Sequence, residues 1–276
     1  MNLRKRIISA AVLIVLMFTC IFLSHVTRVL FFAAAAVLCS WEWSRRLEEK
    51  ELYCALWVTV LHTLLQGMLL LLRAPLSANC ACFIGCVYLA FFTGILDQRV
   101  SGRGSLGTVT ALTYPGVLFT AIMAVSVSDR WLEALALACL STWSCDNAAF
   151  LVGSRFGRHK LAPEVSPHKT VEGALAGALC SLLGGVLVFL LGRLCAASPR
   201  LSGILLPLPL WLCLLTALVA STLGQIGDLA ESLVKRMLGV KDFSDLIPGH
   251  GGMFDRADSL LFAIPTAYFC LRLALF

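Results

Sequence analysis

Residues 204–227 read ILLPLPLWLCLLTALVASTLGQIG and contain no charged side chain, and Asp228 follows directly. A helix needs about 20 mostly apolar residues to cross the hydrocarbon core of a bilayer. This stretch therefore predicts a transmembrane helix with Asp228 near one end. Similar stretches occur at residues 7–23, 28–43, 52–72, 80–96, 106–127, 131–152, 173–194 and 258–276. We therefore predict an all-α, polytopic integral membrane protein with about nine transmembrane helices.

The composition of the chain agrees with a membrane protein and excludes three other classes. Of 276 residues, 59% are hydrophobic and 14% are charged, and the mean hydropathy is +0.88. A soluble domain has roughly 45–50% apolar and about 25% charged residues. We therefore exclude a soluble globular fold, a disordered chain and a secreted disulfide scaffold. The twelve cysteines lie mostly in apolar runs, where cysteine packs as a small hydrophobic residue.

The positions of the basic residues predict the orientation in the membrane. If the amino terminus is cytoplasmic, 16 of the 22 Lys and Arg residues fall on the cytoplasmic side and 6 on the opposite side. Cytoplasmic loops are typically rich in Lys and Arg, so we predict a multi-pass protein of a bacterial inner (cytoplasmic) membrane with its amino terminus in the cytoplasm. The net charge of +6 is small and scattered, and no nucleic-acid partner is expected.

Two polar segments interrupt the apolar pattern, at residues 146–173 and 228–258. Together they hold nine of the sixteen acidic residues, and the predicted orientation places both on the cytoplasmic side. We expect the chemistry there, since an ionisable group at membrane depth is costly and usually functional. Residues 1–130 are then predicted to form a scaffold of transmembrane helices, and residues 131–276 the catalytic region.

The second segment begins with acidic and basic residues at helical spacing. If the eighth helix continues past Asp228, then Asp228, Ser232 and Lys235 lie on one face. A carboxylate, a hydroxyl and an ammonium group on one face can hold a metal ion and a phosphate together. The alternative is a solvated segment with ordinary ion pairs. We favour that alternative for three acids: Glu231 (paired with Lys235), Asp245 and Glu164.

The rest of the second segment is a glycine-rich loop followed by two aspartates. Gly239 is expected to end the helix, and the loop at residues 248–252 lets backbone N–H groups approach phosphate oxygens closely. A new helix would then carry Asp255 and Asp258 on one face. Magnesium takes oxygen ligands and keeps several waters, so two carboxylates from different helices suffice to hold it. We predict that Asp228 and Asp255 are these ligands.

The first segment supplies a further carboxylate and a cluster of basic residues. Asp146 lies inside the sixth predicted helix, and Ser166 and Lys169 stand just before the seventh, at a suitable height for a phosphate at the membrane surface. We expect His159 and His168 to be hydrogen-bonded surface residues rather than metal ligands. Crowded basic and acidic groups without a nucleophile triad favour phosphoryl transfer. The sequence lacks G-x-x-x-x-G-K-[ST], which excludes a P-loop NTPase.

The second segment also resembles a known family signature. Residues 232–258, SLVKRMLGVKDFSDLIPGHGGMFDRAD, are similar to the signature of the phosphatidate cytidylyltransferases, the CDP-diacylglycerol synthases. The stretches SPHKTVEG (166–173) and QIGDLAES (225–232) resemble the same family. The resemblance covers these blocks and the number of spans, whereas the amino-terminal half is only generically apolar.

The resemblance implies an activity, a cofactor and a set of site residues. CTP and phosphatidic acid would give CDP-diacylglycerol and pyrophosphate, with magnesium as cofactor, in an all-helical membrane fold. It also implies a two-cation centre held by Asp228 and Asp255. On this basis we expect catalytic roles for Asp228, Asp255, Lys235, Ser232 and Asp258, and substrate-binding roles for Ser166, Lys169, Arg236, Lys241, His250, Arg256 and Asp146.

The expected partners are CTP, phosphatidic acid and the lipid bilayer, and the sequence leaves open whether the protein forms a homodimer. One alternative is another CTP-dependent membrane lipid kinase, which should lack the complete HGGMFDRAD run at 250–258. A second is an ion-coupled transporter that uses Asp146 and Asp228 as coupling carboxylates. A transporter would more naturally show broken helices near the midplane in two related halves. A CDP-alcohol transferase is a weaker alternative, because the sequence contains no D-G-x-x-A-R run.

Overall fold

The computed structural model of the chain describes residues 15, 17–201, 203–247 and 251–275. The helices are α1 (His25–Glu48), α2 (Leu56–Leu71), α3 (Leu76–Leu96), α4 (Ser101–Ala111), α5 (Leu118–Ser126), α6 (Trp131–Phe156), α7 (Val171–Ala197), α8 (Leu210–Leu238) and α9 (Phe254–Leu275). A kink at Leu112–Val117, where Tyr114 has the non-helical angles φ −133° and ψ 102°, joins α4 to α5. A β-hairpin between α6 and α7 consists of β1 (Lys160–Ala162) and β2 (Ser166–Thr170).

The length and hydropathy of the helices confirm the predicted fold class. Within the described part of the chain, seven helical stretches are long and apolar enough to cross a membrane. They are α1, α3, the continuous stretch of α4 and α5, α6, α7, α8 and α9, and the shorter α2 is apolar as well. Each of these coincides with a predicted span. The predicted span at 7–23 lies mainly outside the described residues, and its residues 17–23 are helical.

The two helices that flank the signature loop extend as the polar pattern predicted. Helix α8 continues past Asp228 to Leu238, so the expected polar stripe is helical throughout. Gly239 follows with a φ of +70°, a conformation that glycine adopts without steric cost. Helix α9 begins at Phe254 and contains both predicted aspartates. The predicted phosphate loop includes residues 248–250, which lie outside the described residues.

The sequence analysis did not predict the β-hairpin. Strands β1 and β2 are antiparallel, with Lys160 opposite Thr170 and Ala162 opposite Ser166. Strands of three and five residues are too short for an alternating pattern to be recognised. The Thr170 hydroxyl accepts a hydrogen bond of 3.2 Å from the Gly173 N–H, which caps the first turn of α7. The hairpin therefore holds the residues before α7 in a defined position.

The chain forms two compact units, and the first combines Met1–Val127 with Met237–Ala257. Inside this unit, the Trp43 ring of α1 lies 6.1 Å from the rings of both Phe243 and Phe254, measured between centroids. The rings of Phe243 and Phe254 are 4.5 Å apart, and both residues are buried. Aromatic pairs of this kind add about 0.5–1.5 kcal/mol beyond the burial of their area. We define the signature loop as residues 239–253, between α8 and α9. The contacts of Trp43 with Phe243 and Phe254 pack this loop and the start of α9 against α1.

The second unit combines Ser128–Arg236 with Asp258–Phe276. Helices α6 and α7 pack closely in it because α7 has glycines on the shared face. A Cβ at Gly173, Gly177 or Gly184 would lie 2.7–2.8 Å from a backbone oxygen of α6. Small residues that let helix backbones approach in this way are typical of packing within membranes. The close approach holds the carboxyl-terminal half of α6 next to the hairpin and the start of α7. The predicted functional division at residue 130 stays a prediction.

Candidate active site

A cavity of about 580 Å³ lies in the second unit, with walls from α6, the β-hairpin, α7 and α8. Its polar lining includes Asp146 from α6, Lys169 from β2, and Asp228 from α8. Lys160 and His168 of the hairpin also line the cavity. The structure thus brings together three residues that the sequence analysis selected from two separate polar segments. A space of this size with mixed charge is suited to a polar ligand.

Lys169 and Asp228 form an ion pair inside this cavity. The lysine Nζ lies 2.6 Å from Oδ2 of Asp228, and the two side chains are 28% and 30% exposed. Partial exposure lets water screen the pair, so its contribution to stability is modest. The pair nevertheless keeps an ammonium group beside the carboxylate that the sequence analysis selected as a metal ligand. A phosphate and a cation could therefore be bound side by side.

Three carboxylates meet beside this pair, at the contact between α8 and α9. Asp228, Glu231 and Asp258 each offer one oxygen, and these oxygens all lie within 4.8 Å of one another. Gly227 makes the contact close, because a Cβ there would lie 2.7 Å from the backbone oxygen of Asp258. Carboxylate oxygens at such spacing are the ligands that hard divalent cations prefer. The structure therefore adds Glu231 to the predicted acidic residues and places Asp258 next to Asp228.

Glu231 has the predicted ion pair but not the predicted environment. Its Oε2 lies 2.6 Å from Nζ of Lys235, as the i, i+4 spacing indicated, yet the Glu231 side chain is only 1% exposed. The expectation of a solvated pair was wrong for this residue, because α9 covers this face of α8 next to Asp258. The other two acids of that group, Asp245 and Glu164, are exposed as expected.

Asp255 lies in the first unit, where it binds the backbone of the signature loop. Its carboxylate Oδ2 accepts hydrogen bonds from the N–H groups of Phe243 (3.1 Å) and Gly252 (2.7 Å). The residue is 7% exposed. The signature loop is thereby tied at both ends to the first turn of α9. The predicted pairing of Asp228 with Asp255 around a cation stays a prediction.

One residue that sequence reasoning missed is Glu42 of α1. It is completely buried, and its carboxylate accepts hydrogen bonds from the Ser244 hydroxyl and from the N–H groups of Met253 and Phe254. A signal was present, because Glu42 is the sole acidic residue in the apolar stretch at 28–43. An ionisable residue within a membrane helix is a functional candidate by default, which is the argument that selected Asp146.

The remaining predicted residues lie at or near the surface. Ser232 and Ser166 are half-buried, and Arg236, Lys241 and Arg256 are exposed. The Arg236 Nε donates a hydrogen bond of 3.1 Å to the backbone oxygen of Val165. His159 pairs with Glu172 at 2.6 Å, in agreement with the expectation of a hydrogen-bonded surface histidine. His250 lies outside the described residues.

Comparison with known proteins gives one family and a consistent set of relatives. Residues 4–274 of the chain match one family, whose description is "Cytidylyltransferase family". The relative named phosphatidate cytidylyltransferase from Bacillus subtilis is 37% identical over 181 residues, which cover 65% of this chain and 63% of the relative. Relatives of the same name from Staphylococcus saprophyticus and Staphylococcus haemolyticus are 34% and 35% identical over 177 residues, 64% of this chain and 63% of each relative. The chain thus spans less than two thirds of the length of the curated relatives it matches.

Proposed function

This chain belongs to the cytidylyltransferase family, and we propose that it is a phosphatidate cytidylyltransferase. In the proposed reaction, an oxygen of the phosphate monoester of phosphatidic acid attacks the α-phosphorus of CTP. The bond from the α-phosphorus to the oxygen that bridges to the β-phosphate breaks. Pyrophosphate leaves, and the lipid product is CDP-diacylglycerol. The names of the bacterial relatives support this pair of substrates.

The observation that carries the proposal is the arrangement of opposite charges in the second unit. Both substrates are anionic phosphates, so the site must neutralise negative charge and hold the reacting groups in line. The cavity contains the ion pair of Lys169 with Asp228, and the pair of Lys235 with Glu231 follows on α8. Fixed lysines beside clustered carboxylates provide direct phosphate contacts and a cation site at one place.

The acidic cluster fits the magnesium ion that the resemblance implies. Asp228, Glu231 and Asp258 would hold it, because their carboxylate oxygens lie within 4.8 Å of one another. Asp255 is the further ligand that the family signature assigns. When bound, magnesium would neutralise the phosphate oxygens of CTP and the charge that develops on the departing pyrophosphate.

The basic residues are proposed to bind phosphates in two places, inside the cavity and at the exposed surface. Lys169 lines the cavity and would turn from Asp228 to a substrate phosphate when the carboxylate binds a cation. Arg236, Lys241 and Arg256 are exposed and would bind the more solvated phosphates of the nucleotide. Ser166 and Ser232 would donate hydrogen bonds, Asp146 would contact substrate in the cavity, and His250 would orient it. The attacking phosphate oxygen is already anionic, so a strong general base is unnecessary.

The membrane location is proposed from the same features. The seven long apolar helices make the chain a multi-pass membrane protein, and the relatives are bacterial. A bacterial cytoplasmic membrane with the amino terminus inside would place the cavity and the signature loop on the side where CTP is found. Phosphatidic acid would then reach the cavity from the bilayer with its acyl chains still in lipid.

The proposal is tested with the purified full-length chain in detergent, supplied with CTP, phosphatidic acid and magnesium. We expect CDP-diacylglycerol to form, and excess EDTA to stop its formation. Replacing Asp228 or Asp255 by Asn should lower turnover by about 100-fold or more, since each removes a charged group at the reacting phosphates. The matched control is Asp245→Asn, because Asp245 is an exposed acid of the same segment and its variant should keep its rate within about twofold.

Three results would contradict different parts of the proposal. A folded protein that binds CTP but forms no CDP-diacylglycerol would refute the reaction and favour a lipid kinase. The absence of CTP binding altogether would favour the transporter. A near-wild-type rate for Asp228→Asn, with the reaction present, would refute the site but not the reaction.

A further inference from the structure

We propose that Glu42 of α1 is a positioning residue of the reaction, which holds the signature loop so that Asp255 keeps its orientation. The inference rests on the proposed function, because it assigns the loop and Asp255 to the reacting site. Glu42 lies in the amino-terminal half of the chain, which carries no recognisable signature motif. Its role follows from the contacts that its carboxylate makes.

Both carboxylate oxygens of Glu42 are used by the loop and the start of α9. Oε1 accepts hydrogen bonds from the Ser244 hydroxyl at 2.5 Å and from the Met253 N–H at 2.9 Å. Oε2 accepts a hydrogen bond of 2.9 Å from the Phe254 N–H. Phe254 begins α9 and Met253 directly precedes it, and the backbone N–H groups at a helix start have no partner within the helix. A carboxylate from α1 thus supplies the acceptors for this helix start.

Glu42 and Asp255 bind neighbouring positions of the same loop. Asp255 accepts hydrogen bonds from Phe243 and Gly252, and Glu42 binds the residues that directly follow them, Ser244 and Met253. The two carboxylates therefore hold the same two stretches of the loop. If Glu42 loses its bonds to Met253 and Phe254, the adjacent Gly252 N–H, one of the two that fix the Asp255 carboxylate, is held less firmly. Outer partners of this kind orient metal ligands and tune their affinity.

The glycine at position 252 is explained by the same contact. A Cβ at Gly252 would lie 2.6 Å from Oε1 and 2.9 Å from Oε2 of Glu42. Any larger residue would displace the carboxylate or the loop. The second glycine of the HGG run is therefore required by a side chain from a distant part of the sequence. A substitution of Glu42 is therefore expected to change the effect that a substitution of Gly252 has on the rate.

Two further residues of α1 hold the loop beside Glu42. The Arg46 guanidinium donates hydrogen bonds to the backbone oxygens of Phe243 (2.6 Å) and Asp242 (3.1 Å). Trp43 packs on the rings of Phe243 and Phe254. These contacts preserve the fold of the segment when the carboxylate is changed. Glu42→Gln is therefore a suitable test, since it keeps the size of the side chain. It replaces one accepting oxygen by an NH2 group, which cannot accept a hydrogen bond from a backbone N–H.

The experiment compares Glu42→Gln with Glu48→Gln in the full-length chain, because Glu48 is an exposed glutamate of the same helix. For Glu42→Gln we expect kcat to fall and the half-saturating magnesium concentration to rise, each by at least about tenfold, with a small change in KM for CTP. Glu48→Gln should stay within about twofold of the wild type in all three. Amide hydrogen exchange of the peptide covering residues 251–257 should be faster in Glu42→Gln only, whether or not substrate is present.

A pair of alanine variants keeps the proposal testable if Glu42→Gln folds poorly. Gly252→Ala should lower the rate strongly in the wild-type background, and much less in a Glu42→Ala background, where the carboxylate is gone. Unchanged kinetics and unchanged exchange in Glu42→Gln would overturn the inference, as would equal effects of Gly252→Ala in both backgrounds. If the wild-type chain forms no CDP-diacylglycerol, the proposed function fails, and unchanged exchange would then refute the loop contact separately.

Discussion

The contact between α8 and α9 at Gly227 leads to a sharp prediction for Gly227→Ala. A Cβ at this position would lie 2.6 Å from Cδ2 of Phe262 and 2.7 Å from the backbone oxygen of Asp258. The second atom belongs to the backbone of a helix and cannot rotate away. Ordinary contact begins at 3.4 Å, so the two helices must separate locally by about 0.7 Å. That movement acts directly between Asp228 and Asp258.

The size of the effect follows from the displacement. Inserting a methyl group into a close-packed contact costs about 1–3 kcal/mol of stability. A misplacement of about 1 Å at a reacting centre can lower a rate by about 100-fold. The three carboxylate oxygens of the acidic cluster lie within 4.8 Å of one another, and a shift of this size changes their spacing appreciably. We therefore expect Gly227→Ala to lower turnover by about 10- to 100-fold and to weaken magnesium binding.

The assay is CDP-diacylglycerol formation over a range of magnesium concentrations, with thermal stability measured on the same samples. Gly85→Ala is the control, because Gly85 also lies in a predicted membrane helix and has nothing within 4 Å of the added methyl group. It should keep its rate within about twofold and lose no stability, since alanine favours helix more than glycine does. A Gly227→Ala protein with wild-type turnover and magnesium dependence would refute the idea that this contact sets the spacing of the carboxylates.

Three further outcomes are expected. Lys169→Met should lower turnover by about 100-fold, because it removes a positive charge from the proposed phosphate site, and an unchanged rate would exclude Lys169 from that site. Glu231→Gln should lower the melting temperature, because breaking a buried ion pair costs about 3 kcal/mol of the free energy of unfolding. The control is Glu164→Gln, at an exposed site. Equal melting temperatures of the two variants would refute the buried pair. Nine spans with the amino terminus inside would place the carboxyl terminus outside, so alkaline phosphatase fused after Phe276 should be active on the exported side of the membrane. Fusion enzyme that stays in the cytoplasm would contradict the predicted orientation.

Local patterns were sufficient to predict the helices and three charged residues that line the cavity of the second unit, Asp146, Lys169 and Asp228. Asp146 and Asp228 stand out because each interrupts an apolar stretch, and Lys169 because it stands directly before one. Gly239 alone was enough to predict that α8 ends near it, because glycine adopts the observed positive φ without steric cost. These features depend on spacing along the chain, which the sequence shows directly.

Contacts between distant segments could not be predicted in the same way. The burial of Glu231 depends on how closely α9 approaches α8, which is set by Gly227 and the residues opposite it. The role of Glu42 depends on Ser244 and Met253, about 200 residues further along the chain. A helical pattern identifies which residues share a face, but it does not identify the segment that this face contacts.

The central claim is that CMP, and not a phosphoryl group, is transferred from CTP to the lipid. The most direct test incubates the purified chain with phosphatidic acid, magnesium and CTP that is labelled at either the α- or the γ-phosphorus. We predict that the α-label enters the lipid fraction and that the γ-label is released as pyrophosphate. Entry of the γ-label into lipid would instead identify a kinase and contradict the proposed reaction.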